Sequence, residues 1–329
     1  MNIYDISKEA GVSIATVSRV LNNSKNVSPK TRAKIQAIID SNKFTATKPG
    51  KKHRYNKIIG ILCNSLTNPR TSTIVEILTY ELNKLGYSVL LSCEDNLTNK
   101  KIALTRMAES NPTAIIIEGI DFLAYDNADN NYIAQTANDY PIILLNSFIE
   151  HPNIYSILCD EGELIFSITE ELIKQNRTQN VFLFSSLSSY CAPLIDSFNH
   201  AYFVHNIETT AWQQHLCHRN TSDAYQYIDD LLKSGKQIDG IITTNDYDAV
   251  MAQKALIDNN IQVPTDVEVV GMGNSYLAKV SNIPSINCKD TEIATSGINT
   301  LKGIINKTHT PSRITLSAEL IKGAVKKVP

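Results

Sequence analysis

The chain has 329 residues, 43 % of them hydrophobic, and a formal net charge of −2. At roughly 150 residues per domain this length suggests about two domains. No apolar run approaches the ~18 residues of a membrane-spanning helix, and the opening Met1-Asn2-Ile3-Tyr4-Asp5 lacks the basic and apolar regions of a secretory leader, so a cytoplasmic chain is expected. The near-neutral total hides a division. Residues 1–57 hold 12 Lys/Arg and three Asp/Glu, net +9, and the remainder holds 19 against 30, net −11. A basic head on an acidic body suggests a nucleic-acid-facing module joined to a separate one. The six cysteines form no CxxC pair. Four of them (Cys63, Cys93, Cys159, Cys288) fall in or beside apolar strand-like runs, where buried free thiols are expected.

Residues 2–41 read as three short helices. Asn2 can cap the first, with Asp5 as its capping-box partner, and Gly11 permits the turn that ends it. Ser13 caps the second, which runs to about Asn22. Ser28-Pro29 opens the third in the favoured cap-then-Pro order, with Ile35, Ile38 and Ile39 turned inward. In the second helix Val17, Val20 and Leu21 form the apolar side, and Ile14, Ala15, Ser18, Arg19 and Asn22 fan over the other. An exposed face of small residues with one Arg and few acids suits a DNA major groove. There Arg can read guanine O6 and N7, and Ile or Ala can touch a thymine methyl. The alternative is a three-helix protein-binding domain.

The run from Tyr4-Asp5-Ile6-Ser7-Lys8-Glu9-Ala10-Gly11 through Val12-Ser13-Ile14-Ala15-Thr16-Val17-Ser18-Arg19-Val20-Leu21-Asn22 closely resembles the headpiece of the LacI/GalR family of bacterial transcriptional regulators. Val27-Ser28-Pro29-Lys30-Thr31-Arg32 is similar to the start of that family's third helix. The resemblance implies that Ile14 and Ala15 read bases and Arg19 contacts guanine, while Ser13, Thr16, Ser18 and Asn22 hold phosphates or fix the helix in the groove. Where relatives carry a hinge helix with a Leu wedge, this chain has Phe44 to Lys57, without Leu, with Pro49-Gly50, and with five Lys/Arg among residues 48–57. Pro49 disfavours helix at Lys48 and Gly50 costs about 1 kcal/mol against Ala. A flexible polycation is expected, with Lys51, Lys52 and Arg54 on phosphates.

From Ile58 onward β-branched apolar runs alternate with amphipathic segments. Strands are expected at 58–63, 88–93, 114–118, 142–146, 155–159, 180–185, 240–244, 268–271 and 285–289. Helices carry Ile74 to Leu85, Leu164 to Ile173, and Ala249 to Ile257. Continuous rather than alternating runs suit parallel strands buried on both faces, and repeated βα units suit a doubly wound body. The expected architecture is an all-α helix-turn-helix headpiece (residues 1–43), a basic linker (44–57) and an α/β body (58–329). The resemblance implies that the body is two-lobed and similar to periplasmic sugar-binding proteins. It places three crossings between lobes, near 158–160, 277–280 and 307–310, and a terminal strand around 316–320.

Open α/β sheets bind ligands at the carboxyl ends of their strands. That rule selects Asn64, Ser65, Asn146, Asn245, Asp246 and Asn274 as effector contacts. Each could equally be a helix-capping residue. Against the family pattern the chain lacks the pocket Asp after Val270-Gly271, and Arg70 and Arg219 stand at positions where relatives carry apolar or aromatic residues. Losing a carboxylate and gaining guanidinium groups suggests an anionic effector such as a phosphorylated sugar. The rival is a degenerate pocket with a protein coregulator. His215-x-Cys217-His218 lacks the spacing and fourth ligand of a zinc site. Gly271-Met272-Gly273 lacks the third Gly of a dinucleotide fingerprint. No GxSxG elbow is present. No cofactor or metal is expected, and an enzyme or sugar-binding protein with a basic headpiece is the remote alternative. The expected function is a sequence-specific repressor of carbohydrate-utilisation genes. It would act as a homodimer on pseudo-palindromic operator DNA, under a sugar or sugar-phosphate effector.

Overall fold

The computed structural model describes residues 3–13, 16, 17, 20, 27–41, 57–218 and 222–322. The chain divides into two compact units, Met1–Arg54 and Tyr55–Pro329.

In the first unit α1 spans Ile3–Ala10 and α2 spans Pro29–Ser41. Gly11 takes φ +66°, which closes α1 with bonds from Gly11 N to Lys8 O and Val12 N to Ser7 O, the turn that glycine enters at least cost. Ser13 caps the middle segment, its Oγ accepting from Thr16 N at 3.2 Å. Ser28 does the same for Thr31 N ahead of Pro29. Ile6, Ala10, Val17, Val20, Ile35 and Ile39 form one core, and each buried aliphatic side chain contributes roughly 1.5–3 kcal/mol. The expected caps Asn2 and Asp5 and the core candidate Leu21 lie outside the residues whose side chains are described.

The second unit holds two six-stranded sheets. The first is built from β1 (Ile58–Cys63), β2 (Ser88–Cys93), β3 (Ala114–Glu118), β4 (Ile142–Leu145), β5 (Ile154–Asp160) and β11 (Arg313–Ser317). It is parallel throughout, in the order β11-β5-β4-β3-β1-β2. Strands β6 (Asn180–Phe184), β7 (Gln214–Leu216), β8 (Gly240–Thr243), β9 (Glu268–Met272), β10 (Ser285–Asn287) and β12 (Glu319–Ile321) make the second. Its order is β12-β10-β9-β8-β6-β7, parallel except where β12 runs against β10.

Helices cover both faces of each sheet, which is why the strands are apolar on both sides. In the first sheet Ile59, Ile61, Ala114 and Ile116 face α3 (Pro69–Lys84) and α11 (Asp290–Asn306), while Leu62, Ile115 and Ile117 face α4 (Leu97–Glu109) and α5 (Asn131–Ala137). In the second, Phe182, Ile242 and Val270 face α6 (Gly162–Lys174) and α7 (Cys191–Val204). Val181, Ile241 and Val269 face α8 (Asp223–Lys233) and α9 (Asp246–Asp258).

The first crossing lies between β5 and α6, beside the expected 158–160. The other two differ from expectation. Residues 277–280 lie inside α10 (Tyr276–Val280), and the second crossing falls at 288–290, between β10 and α11. Ile293, Ala294, Ile298 and Leu301 of α11 join the first sheet's core, so the chain has already returned before that helix begins. The third crossing is at Ala318, between β11 and β12, rather than at 307–310. Cys93 also departs from expectation: it is exposed, because β2 is an edge strand, whereas the other five cysteines are buried.

Candidate functional site

The lobes meet at the carboxyl ends of their strands. Thr67, Asn68 and Asp121 from one lobe and Ser185, Asn245, Tyr247 and Asp248 from the other line a cavity of about 120 Å³. A larger one of about 500 Å³ lies beside the first and third crossings, with Asn146, Phe148, Asp160, Glu163, Tyr190 and Arg313 in its wall. Pro69, at the start of α3, lines the smaller cavity, and the next residue, Arg70, reaches toward the larger.

Arg70 is 3 % exposed. Its Nε donates to Asp290 Oδ1 at 3.1 Å, and its Nη2 to Asp290 Oδ1 at 2.9 Å and to Glu161 Oε1 at 3.2 Å. Its Nη1 donates to the Tyr190 hydroxyl. Tyr190 belongs to the second lobe, Glu161 to the first crossing and Asp290 to the second. One guanidinium therefore ties α3 to the opposite lobe and to two of the three chain crossings. Gly273, at φ +121°, makes room for it, since a Cβ there would lie 3.1 Å from Arg70 Cγ. Burial works against the Arg70 charge, yet Asp290, Cys288, Tyr190 and Glu161 hold its pKa well above the ordinary value. Burial raises the pKa of Glu161, opposed by Arg70. The guanidinium expected to meet an anionic effector is thus already engaged by two carboxylates.

A second clasp centres on Asp121. Its carboxylate accepts from the hydroxyls of Ser186, Ser185 (3.3 Å) and Ser188 (3.4 Å), all in the opposite lobe, and an isolated antiparallel bridge joins Ala124 to Ser188. Asp121 was not singled out from the sequence. The signal was present, since it lies three residues beyond β3 and the carboxyl-end rule reaches it.

The other expected contacts divide. Asn245 is the N-cap of α9, accepting from Asp248 N at 2.8 Å, and it also lines the cleft. Asp246 is an internal brace: its carboxylate accepts from Ser285 Oγ (2.6 Å) and Ser275 N (2.7 Å), with 3 % of the residue exposed. Ser65 is bound in a local turn with Thr67. Asn64, just past β1, keeps a buried Oδ1 without a hydrogen-bond partner, and so does Asn146 past β4. Asn146 sits at φ +56° and donates from Nδ2 to Glu118 Oε1 at 3.2 Å. Asn274 sits at φ +48°, with its backbone N on Ser285 Oγ. Arg219 lies outside the described residues.

Two buried carboxyls border these groups. Burial pushes Glu118 up to about 7, against hydrogen bonds from Ile120 N, Asn146 and Thr71. Burial also raises Asp248 to about 6, against its bond from Asn245. His215 and His218 both lean on Asp223, and among the described residues no group of three or more His, Cys, Asp or Glu is arranged to hold a metal. In the headpiece Ser13 and Thr16 are joined by their hydroxyls at 2.9 Å. Ile14, Ala15, Ser18, Arg19, Asn22, Lys51, Lys52 and Arg54 lie outside the described residues.

Comparison with known proteins decides the family. Residues 2–46 match the model described as "Bacterial regulatory proteins, lacI family" and residues 170–324 that of a "Periplasmic binding protein-like domain". An HTH-type transcriptional regulator of Lachnoclostridium phytofermentans is 32 % identical over 327 residues, 98 % of each chain. The chain belongs to the LacI family. As a LacI-family member it is a DNA-binding transcriptional regulator. The lactose operon repressor of Escherichia coli (strain K12) is 26 % identical over 276 residues, covering 82 % of this chain and 75 % of its own. The lac repressor dimer bound to operator and the anti-inducer ONPF matches at a TM-score of 0.72 and 22 % identity, over 98 % of each chain. The LacI fold thus extends through headpiece and body. No described helix is long and apolar enough to cross a membrane.

Proposed function

We propose that this LacI-family regulator is a cytoplasmic, homodimeric repressor of carbohydrate-utilisation genes, and that a neutral, hydroxyl-rich effector enters between its lobes. The observation that carries the choice of effector is the engagement of Arg70 by Asp290 and Glu161, which takes up one of the two guanidinium groups, Arg70 and Arg219, that favoured a phosphorylated sugar. Beside the guanidinium of Arg313, the described cavity walls carry the carboxyls of Asp121, Asp248, Asp160 and Glu163. Carboxylates and amides both hydrogen-bond to hydroxyls, whereas carboxylates repel phosphate. On DNA, Arg19, Ile14 and Ala15 read bases, and Ser13, Thr16, Ser18, Asn22 and the linker cations Lys51, Lys52 and Arg54 bind phosphates. The basic residues 1–57 and acidic remainder support this division of labour.

The effector acts through the Asp121 clasp. A ligand that competes for Ser185 or Asp121 changes the balance of lobe closure, and the paired linkers carry that change to the headpieces. Homodimerisation is supported by the outer face of α3, where Leu66, Ile77 and the largely exposed Tyr80 line an open groove. A two-fold axis through two such faces calls for an operator of matching symmetry. No catalytic role is assigned.

The second reading, a degenerate pocket governed by a protein coregulator, is favoured by the 120 Å³ of the smaller cavity, below the ~300 Å³ at which ligand sites ordinarily begin. Isothermal calorimetry on the full chain, against neutral mono- and disaccharides and their phosphates, separates the readings. Tighter binding of a neutral sugar than of its phosphate is expected. Tighter binding of the phosphate rejects the choice of effector, and absence of heat with every sugar favours the coregulator.

A further inference from the structure

Cys63 and Cys93 end neighbouring strands. They are register partners in the parallel pair β1–β2, and their sulfurs lie 3.4 Å apart. We propose that these two cysteines are a redox-sensitive thiol pair that closes to an intrachain disulfide when the protein meets a small-molecule disulfide.

The geometry supports closure without moving either strand. Adjacent strands lie about 4.8 Å apart, inside the ~4.4–6.8 Å range of Cα separation that a disulfide accepts. The sulfurs need to approach by a further ~1.4 Å to reach bonding distance, which a small side-chain rotation supplies. Accessibility is asymmetric in a useful way. Cys93 lies on the edge strand and is exposed, and Cys63 is fully buried in the first sheet's core. Burial and the neighbouring Cys93 raise the Cys63 pKa, so Cys93 is the sulfur that meets the oxidant first. Cys159, Cys191, Cys217 and Cys288 are all buried.

The chemistry has two steps. The Cys93 thiolate attacks one sulfur of the small disulfide, breaking its S–S bond, expelling one thiol and leaving a mixed disulfide. Cys63 then gives up its proton and attacks Cys93 Sγ, expelling the second thiol. The protein loses two protons and two electrons, and the small disulfide is reduced to two thiols. The new bond would pin the end of β1, ahead of the loop that brings Thr67 and Asn68 to the cleft, to the edge strand.

The test treats the reduced full-length chain with oxidised glutathione, alkylates the remaining thiols and measures intact mass and linked peptides under non-reducing conditions. Wild type should become two hydrogens lighter before alkylation, keep four of its six thiols, and yield a peptide pair joining Cys63 to Cys93. Cys63→Ser should instead hold one glutathione on Cys93. Cys93→Ser, a change at an exposed position, should keep all its remaining thiols. Six free thiols in the treated wild type, a glutathione adduct that stays on its Cys93, or a disulfide between two chains would each overturn the proposal.

Discussion

Arg70→Met would leave the buried Glu161 and the partly exposed Asp290 without their shared cation. Breaking a buried ion pair from one side costs about 3–5 kcal/mol, so the variant should unfold at markedly lower urea, with a loss of that order; an unchanged midpoint would show that the cluster does not hold the body together. Glu118 gives a different signature. Its carboxyl titrates near 7 when folded, against an ordinary 4.5. Between those values the folded chain keeps a proton that the unfolded chain has released, so stability falls as pH rises through that window, by up to about 3 kcal/mol at ~1.36 kcal/mol per pH unit. Asp248 adds a slope of the same sign from 3.8 to about 6. The readout is therefore the difference in urea stability between wild type and Glu118→Gln. The variant should gain on wild type from pH 4.5 to 7, and a constant difference would place the proton elsewhere. Neither role was legible in the sequence. The partners of Arg70 lie 91 and 220 positions away, and local pattern carries no such pairing. Asn64, Asn146 and Asp246 were selected because the rule of strand carboxyl ends depends only on where a strand stops. The rule locates a side chain but not what it holds, as Asp246 shows by accepting from Ser285 Oγ and Ser275 N.

At the level of elements, nine strands and the principal helices of the body follow from β-branched runs and 3.6-residue periodicity, because both faces of each sheet are buried. The short β7 was missed. Gln214-His215-Leu216 is half-buried and mostly polar, so nothing in its composition marks a strand. The second and third crossings were both placed about ten residues early, and only the packing of α11 on Leu78 and Leu145 decides the side on which that helix lies. The linker makes its own prediction. If Lys51, Lys52 and Arg54 of both chains neutralise phosphates, changing all three to Gln should lower the slope of log affinity against log salt by roughly 5, at ~0.9 per phosphate contact in the dimer, while leaving preference among operator sequences intact. Fluorescence anisotropy across a salt series measures this. A preserved slope would show that the linker is only a tether.

For the whole molecule, on the proposed function, the opposite charges of residues 1–57 and the remainder have separate uses: the basic residues attract phosphate, and the acidic remainder holds its lobes together through Arg70 and Asp121. On the proposed function, this chain reads a two-fold operator through its headpiece helix and releases or tightens it on binding a neutral sugar. The direct measurement is anisotropy titration of the full chain onto labelled DNA from upstream of its own gene, with scrambled DNA and Arg19→Ala as references. We expect two chains per operator, a preference over scrambled DNA of at least ~10³-fold, and loss of ~1–3 kcal/mol of base discrimination in Arg19→Ala, with affinity shifted by the sugar that calorimetry identifies. Equal affinity for scrambled DNA, or Arg19→Ala with unchanged specificity, would contradict it.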